Sequence, residues 1–367
     1  MTTPFETPLR LPLGRVHLEL TNVCAFNCVF CAKGELTRPF KHMDTALAKR
    51  ILSELSEHRV CKKVTLHVLG EPTRHPDFFE ILDHAHREGI RIGLTTDGST
   101  LGGPVGERLL EVPLHQLDIS LQTPDARSYE LRRSKTLSFD DYASGIRSFF
   151  AAYCVRHPRT ICKIRFLNTV LVQPEMRERI GRVDSLSTPD DLRNALAAWA
   201  RWLYEAVDAD PKKAGRAIKK LGSIPPNKWN VIKMYDNVYF ETYLFQEWTD
   251  ALASDHLEET RTGDCLYRRD HLAILSNGDL VLCCLDFNGH TAVGNLTDSP
   301  LVEVLNSPRL RGVIEGFRQR KIVDPYCRRC QTAILNFGRF LAGKPVRTRL
   351  QALLLYLKTH RHYKAWR

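Results

Sequence analysis

Three absences bound this sequence before any motif is read. No run approaches the roughly eighteen uninterrupted apolar residues that a membrane-spanning helix needs. The opening stretch MTTPFETPLRLPLGRVHLEL has none of the charged, apolar and small-residue zones of a signal peptide. A cytoplasmic protein is therefore expected, and there its eleven cysteines read as metal ligands or thiols before disulfides. Acidic residues stop at Asp324, and the last 43 positions carry ten Lys or Arg. Nearly all of the net charge of +11 thus belongs to the tail, and the near-neutral remainder argues against a whole-surface nucleic-acid binder. No internal repeat or long low-complexity tract interrupts the chain. At 43% hydrophobic, it can bury sizeable cores.

Up to about residue 175, strand and helix signals alternate. RVHLEL alternates apolar and polar residues, MDTALAKRILSELSEH has helical period with Asp44 at its N-cap, and KKVTLHVLG reads as a second strand. PDFFEILDHAHREG, closed by Gly89, is a second helix, and IRIGLTTDG, LHQLDISLQ and TICKIRFLNTVLV are further strands. Such repetition predicts a parallel sheet with right-handed crossovers and a site at the C-terminal strand edge. From 176 to 260 the rhythm is lost. STPDDLRNALAAWARWLYEAV is a helix with Thr188 as N-cap, whereas VIKMYDNVYFETYLFQEW fits strand or helix equally. HLAILSNGDLVLCCLDF predicts a hairpin around Asn277-Gly278-Asp279. The expected organisation is a core over 1–175, a mainly helical insertion over 176–260, a cysteine-bearing unit over 261–335 and a basic helical tail over 336–367, with Leu350, Leu353, Leu354 and Leu357 on one face.

CAFNCVFC places Cys24, Cys28 and Cys31 immediately after the first strand. Thiolates at this density select zinc or an iron–sulfur cluster. A closed zinc site wants a fourth ligand, and neither His17 nor His42 sits at knuckle spacing. Three thiolates leave one iron of a cubane open. ELTNVCAFNCVFC, with Phe30 before the third cysteine, resembles the signature of radical S-adenosylmethionine (SAM) enzymes. The resemblance implies a partial (β/α)6 TIM-like barrel, α/β in class, with a [4Fe–4S] cluster on Cys24, Cys28 and Cys31. It also implies SAM on the open iron. LHVLGEP is similar to the family's stretch that receives the SAM amino group, which implicates Gly70 and Glu71, although Leu69 stands where the family has a first glycine. By the same resemblance TTDG implicates Thr95, Thr96 and Asp97, DISLQ implicates Ser120 and Gln122, and YELRRS implicates Arg133 as the carboxylate partner.

Cys265, Cys283, Cys284, Cys327 and Cys330 form a second set, in which two strands and a C-x2-C knuckle can converge four thiolates on one ion or cluster. With GNLTDSPLVEVLNSP between them, they resemble the auxiliary-cluster domains, SPASM and twitch, of radical SAM enzymes. Five cysteines suffice for one auxiliary [4Fe–4S] cluster, read as Cys265, Cys283, Cys327 and Cys330. Cys284 stays an alternative to Cys283, since adjacent strand residues face opposite sides. A four-cysteine zinc site has the same spacing. The small C-terminal unit would then be α+β.

The expected function is a radical SAM oxidoreductase acting on a sugar- or aminocyclitol-type small molecule or a peptide. Asp286 and His290 are candidates for a general base, and Cys284 for a hydrogen donor, which would make the enzyme an epimerase. A non-catalytic cluster-binding protein is the remaining class. Tyr235, Tyr239, Phe240 and Tyr243 either line a pocket or fill the core. The basic tail docks on the protein, meets an anionic membrane surface, or attracts an acidic electron donor such as flavodoxin.

Overall fold

The computed structural model describes residues 5–170, 184–245, 259–265 and 270–332. In chain order the elements begin β1 (Arg15–Leu18), α1 (Thr45–Glu57), β2 (Val64–Leu66), α2 (Phe78–Arg87), β3 (Ile92–Thr96), α3 (Pro104–Leu109), β4 (Gln116–Gln122), α4 (Ala126–Tyr129) and α5 (Phe139–Arg156). They continue with β5 (Ile161–Asn168), α6 (Pro189–Ala206), α7 (Pro211–Leu221), β6 (Asn230–Tyr235), β7 (Val238–Leu244), β8 (His271–Ile274), β9 (Asp279–Val281), β10 (Gly294–Asn295), α8 (Leu301–Val304) and α9 (Pro308–Arg318). The chain divides into two units, one built from 1–24, 32–94 and 248–356 and the other from 25–31, 95–247 and 357–367.

In the first unit the strand order is β10-β9-β8-β1-β2-β3, with β8, β1, β2 and β3 mutually parallel. β9 and β10 close it antiparallel, through the predicted hairpin whose Gly278 sits at φ +93°. The pleat sorts β1 into two faces: Val16 and Leu18 are buried in the core, while Arg15 and His17 share the other side. The Asp44 carboxylate accepts from Leu47 N at 2.8 Å and so starts α1. Gly89, at φ +69°, follows α2 as its left-handed terminator.

The second unit has the order β4-β5-β7-β6, in which β4, β5 and β7 are parallel and β6 is antiparallel to β7. Thr188 and Asp191 form a reciprocal capping box at the start of α6, with Pro189 in its first turn. With β1–β3 in the first unit and β4, β5 and β7 in the second, the chain has the α/β architecture of a partial (β/α)6 TIM-like barrel, the fold class that the motifs imply, and β8 adds a seventh parallel strand beside β1. The stretch expected to be mainly helical therefore holds a strand of the parallel set. In β7 Phe240 packs against Phe166 at 5.2 Å between ring centroids, in the core, while Glu241 and Tyr243 lie on the opposite face. The aromatic run is thus divided between core and interior by the period of the strand. The leucine face of the tail lies outside the described residues.

Candidate functional site

In the first unit, Cys24 follows β1, and its carbonyl accepts from Lys33 Nζ at 2.9 Å. The loop after β2 turns back toward the same strand end. Glu71 N donates to Val23 O at 2.9 Å. Gly70 sits at φ +72°, where an added Cβ would stand 2.3 Å from Thr21 O, so only glycine permits this approach. Glu71 is fully buried, and its Oε1 accepts from Thr73 N at 3.2 Å and Thr73 Oγ1 at 2.7 Å. Leu69, in place of the family's first glycine, is also buried, and its N–H donates to Glu19 Oε1 at 3.2 Å. Glu19 is the hub of a buried ion pair with Arg38 at 2.9 Å, and its Oε2 also accepts from Ser276 N at 2.8 Å. Arg38 donates in turn to Phe287 O at 2.7 Å. One carboxylate thus joins the end of β1, the Gly70 loop and the β8–β9 turn.

In the second unit, Cys28 and Cys31 form a turn closed by Cys31 N to Cys28 O at 3.1 Å. Burial pushes the Cys28 thiol up to about 12; Arg132 opposes that shift, while Cys31 and Asp97 add to it. A buried thiol crowded by another thiol and a carboxylate favours a cationic iron partner, so these residues fit a cluster. Phe30 packs with Val29, Leu131 and Tyr243 on Leu167 and Phe245. At the end of β3, Thr96 Oγ1 accepts from Gly98 N at 3.1 Å, Asp97 Oδ1 accepts from Ser99 N at 2.8 Å, and Asp97 O accepts from Tyr142 Oη at 2.8 Å. Thr95 is buried beside them. Gln122, at φ +55°, donates through its amide to Tyr243 Oη.

The arginine segment departs from the expectation. Arg133 is exposed at φ +49°, whereas Arg132 is buried. Arg132 donates to Thr123 Oγ1 at 2.9 Å and to the carbonyls of Ser120 and Leu121, and its guanidinium lies 4.8 Å from the Phe26 ring centroid and 5.2 Å from that of Tyr142. Its own carbonyl accepts from Asn27 N at 3.0 Å. Arg132 braces the cysteine loop, and Arg133 stands in solvent because the short helical turn before it ends in a left-handed residue.

The second cysteine set lies in the first unit. Cys265, Cys283 and Cys327 open onto one cavity walled by Leu272, Leu282, Val313 and Phe317. Burial first, then the neighbouring thiols, raises Cys330, and the same holds for Cys327 with Asp324 added. Cys265 and Cys283 are among the neighbours of both. Three thiols opening on one apolar cavity, with Cys330 close enough to Cys265 and Cys283 to feel their charge, fit a cluster that takes them as thiolates.

Asp286, expected as a base, is committed elsewhere. It is fully buried, and its oxygens accept from Gly289 N at 2.9 Å, His290 N at 3.0 Å, Thr291 N at 2.6 Å and Thr291 Oγ1 at 2.7 Å. It staples the loop that presents Phe287 O to Arg38 and Asn288 Oδ1 to Thr37 N. His290 stacks on Tyr326, with centroids 5.5 Å apart. Cys284 points away from these, toward His17 and His271, where one ligand atom from each of the three lies within 4.8 Å of the others. That histidine pair carries no sequence motif. It exists because β1 and β8, 254 residues apart at these positions, run side by side (271 − 17 = 254).

Two domains of known type account for these features. Residues 18–164 match the Radical SAM superfamily, and residues 265–331 match the SPASM iron–sulfur cluster-binding domain. The chain carries a radical SAM domain followed by a SPASM domain, and such domains bind SAM, a [4Fe–4S] cluster and auxiliary iron–sulfur. Among its relatives, the AdoMet-dependent heme synthase of Methanosarcina barkeri is 26% identical, over 89% of each chain. The PqqA peptide cyclase of Bradyrhizobium diazoefficiens is 34% identical over 30% of this chain and 29% of its own. The fold is that of Streptococcus suis SuiB, solved with S-adenosylmethionine, at a TM-score of 0.54 and 17% identity, over 83% of this chain and 68% of that one. No described helix is long and apolar enough to cross a membrane.

Proposed function

We propose that this chain is a radical SAM oxidoreductase with one auxiliary [4Fe–4S] cluster, held by Cys265, Cys283, Cys327 and Cys330. The observation that carries the reading is that Cys265, Cys283 and Cys327 open onto one cavity, with Cys330 electrostatically close to Cys265 and Cys283. Cys24, Cys28 and Cys31 would hold the first cluster, which with SAM would supply a 5′-deoxyadenosyl radical able to take a hydrogen atom from substrate, and the auxiliary cluster would supply an acceptor for the second electron as a base takes the proton. Gly70 and Glu71 shape the loop that receives the SAM amino group, and Arg132 holds the cysteine loop in place.

The substrate is polar. The interior face of β4, β5 and β7 carries Asp118, Lys163, Arg165 and Glu241, paired as Arg165–Asp118 at 2.7 Å and Lys163–Glu241 at 3.4 Å. Trp229 Nε1 donates to Glu241 at 2.8 Å. Such a wall suits a hydroxyl- or amine-bearing small molecule. A peptide is the second reading, favoured by the named activity of the PqqA peptide cyclase. The protein would work in the cytosol with a flavodoxin-type donor.

Anaerobic reconstitution tests this. About eight irons and eight sulfides per chain are expected, with one 5′-deoxyadenosine formed per two-electron-oxidised product. An isomeric product carrying one solvent deuterium would instead establish an epimerase. Four irons per chain would remove the auxiliary cluster, and a cluster-loaded chain that never forms 5′-deoxyadenosine would be a binding protein.

A further inference from the structure

Beside the auxiliary thiols lies a group of residues that neither cluster uses. His17 from β1, His271 from β8 and Cys284 after β9 place one ligand atom each within 4.8 Å of the others. The two imidazoles meet edge to face, with centroids 5.0 Å apart. Both are at least 95% buried, with 5% and 1% of their surface exposed, and His17 Nδ1 has no hydrogen-bond partner among the described residues. A buried imidazole nitrogen without a partner is uncommon and calls for an explanation. Of the neighbouring cations, Arg15 pairs with Asp270 at 3.7 Å.

We propose that His17, His271 and Cys284 form a third metal site, adjoining the auxiliary thiols at Cys283, that takes a zinc-class divalent ion and keeps its fourth position open. Two imidazoles and one thiolate are a ligand set that zinc accepts, and three protein ligands with one exchangeable position is the pattern of reactive rather than structural zinc. Tetrahedral bonds of these lengths bring ligand atoms to about 3.3–3.8 Å of one another. The present spacing closes to that by small side-chain rotations. Cys283 opens on the cavity with Cys265 and Cys327, Cys284 lies with the histidines, and the two thiols are hydrogen-bonded to each other in the turn after β9. His271 links the two sides. A proton on Nε2, shared with Cys283 Sγ at 3.7 Å, puts the lone pair for the metal on Nδ1. His67, with its ring centroid 6.0 Å from that of His17, is the next imidazole beyond the three. The fourth ligand is water or a hydroxyl oxygen of the substrate, whose proton the ion makes easier to lose.

The site rests on the cluster assignment above only through Cys283, and the test separates the two. Anaerobically prepared, cluster-loaded protein is titrated with Co²⁺ and, separately, loaded with one equivalent of Zn²⁺ for X-ray absorption. One Co²⁺ per chain with a thiolate charge-transfer band, displaced by Zn²⁺, is expected, with a zinc shell of two nitrogens, one sulfur and one further light atom. His17→Gln and Cys284→Ala should each weaken Co²⁺ binding at least about tenfold and leave the iron count unchanged. The wild-type absorption spectrum needs no variant to fold. A band absent from iron-replete wild type, a shell of four sulfurs, or binding indifferent to both substitutions overturns the site. Loss of about four irons in Cys284→Ala also overturns it, by making Cys284 the auxiliary ligand. A wild-type iron count of four with the cobalt band intact sinks the auxiliary-cluster reading and leaves this site standing.

Discussion

Glu19 and Arg38 offer the sharpest quantitative test of how the Gly70 loop, proposed to receive SAM, is held. The Glu19 side chain is fully buried and that of Arg38 is 7% exposed. The carboxylate accepts from Arg38 Nη2 at 3.1 and 2.9 Å, from Leu69 N at 3.2 Å and from Ser276 N at 2.8 Å. Removing one partner of a buried pair leaves an uncompensated charge and costs about 3–5 kcal/mol. Arg38→Leu should sit near 3 kcal/mol, because two backbone N–H groups still face the carboxylate. Glu19→Leu should reach about 5 kcal/mol or more, because it strands the guanidinium and leaves two buried N–H groups unsatisfied, at about 1–3 kcal/mol each. The double Leu variant leaves no buried charge and should cost about 4–5 kcal/mol, well below the sum, giving a coupling of about 3 kcal/mol. Denaturant unfolding of the four cluster-loaded proteins measures the cycle. SAM affinity, by equilibrium dialysis, should fall in both single variants because Leu69 leads directly into Gly70. Additivity within about 0.5 kcal/mol would refute the argument that the pair acts as a unit.

Other outcomes follow from the same geometry. Gly70→Ala forces a Cβ against Thr21 O at a left-handed φ, so SAM binding should weaken at least about tenfold, from the roughly 1–2 kcal/mol of conformational cost before any clash. Arg132→Leu should abolish iron on the first cluster and leave the auxiliary four, whereas Arg133→Ala should change stability by less than about 0.5 kcal/mol; iron counts and melting curves decide. Asp286→Asn should lower thermal stability while retaining hydrogen abstraction from SAM-bound substrate, because its carboxylate serves four loop donors; loss of turnover with unchanged melting would restore it as a base. Cys61, whose thiol burial pushes up to about 12, favours the fold while protonated. Stability should therefore fall as pH rises from about 9 toward 12, and Cys61→Ala should flatten that part of the curve.

Much of this was legible in the sequence because it depends on local rules. Asp44, Thr188 and Gly89 mark helix ends by chemistry confined to a few residues, and the hairpin at Gly278 needs only a left-handed turn position. The cysteine spacings announced both domain types for the same reason. What the sequence concealed depends on direction or distance. Arg132 and Arg133 are interchangeable in the string YELRRS; only the left-handed turn at Arg133 sends one inward and the other out. The aromatic run at 231–245 satisfies two periods, and the parallel partner β5 makes it a strand. Asp286 reads as a base beside a cluster because a sequence does not show four backbone donors converging on it.

These hidden features share a consequence for the chemistry. The residues proposed to make the radical lie in short motifs. Those proposed to decide what the radical meets are brought together by the sheet: Gln122 with Tyr243, Lys163 with Glu241, His17 with His271. A single substitution in that second group leaves every cluster ligand untouched. Exchange at Lys163 or Glu241 should therefore alter substrate dependence while the slow, substrate-free cleavage of SAM persists, and exchange at Gly70 should depress both. Measuring 5′-deoxyadenosine with and without substrate in the two kinds of variant separates how the radical is made from where it goes. If Glu241→Gln lost the substrate-free cleavage as completely as Gly70→Ala, the division between motif-borne and pairing-borne residues would be wrong.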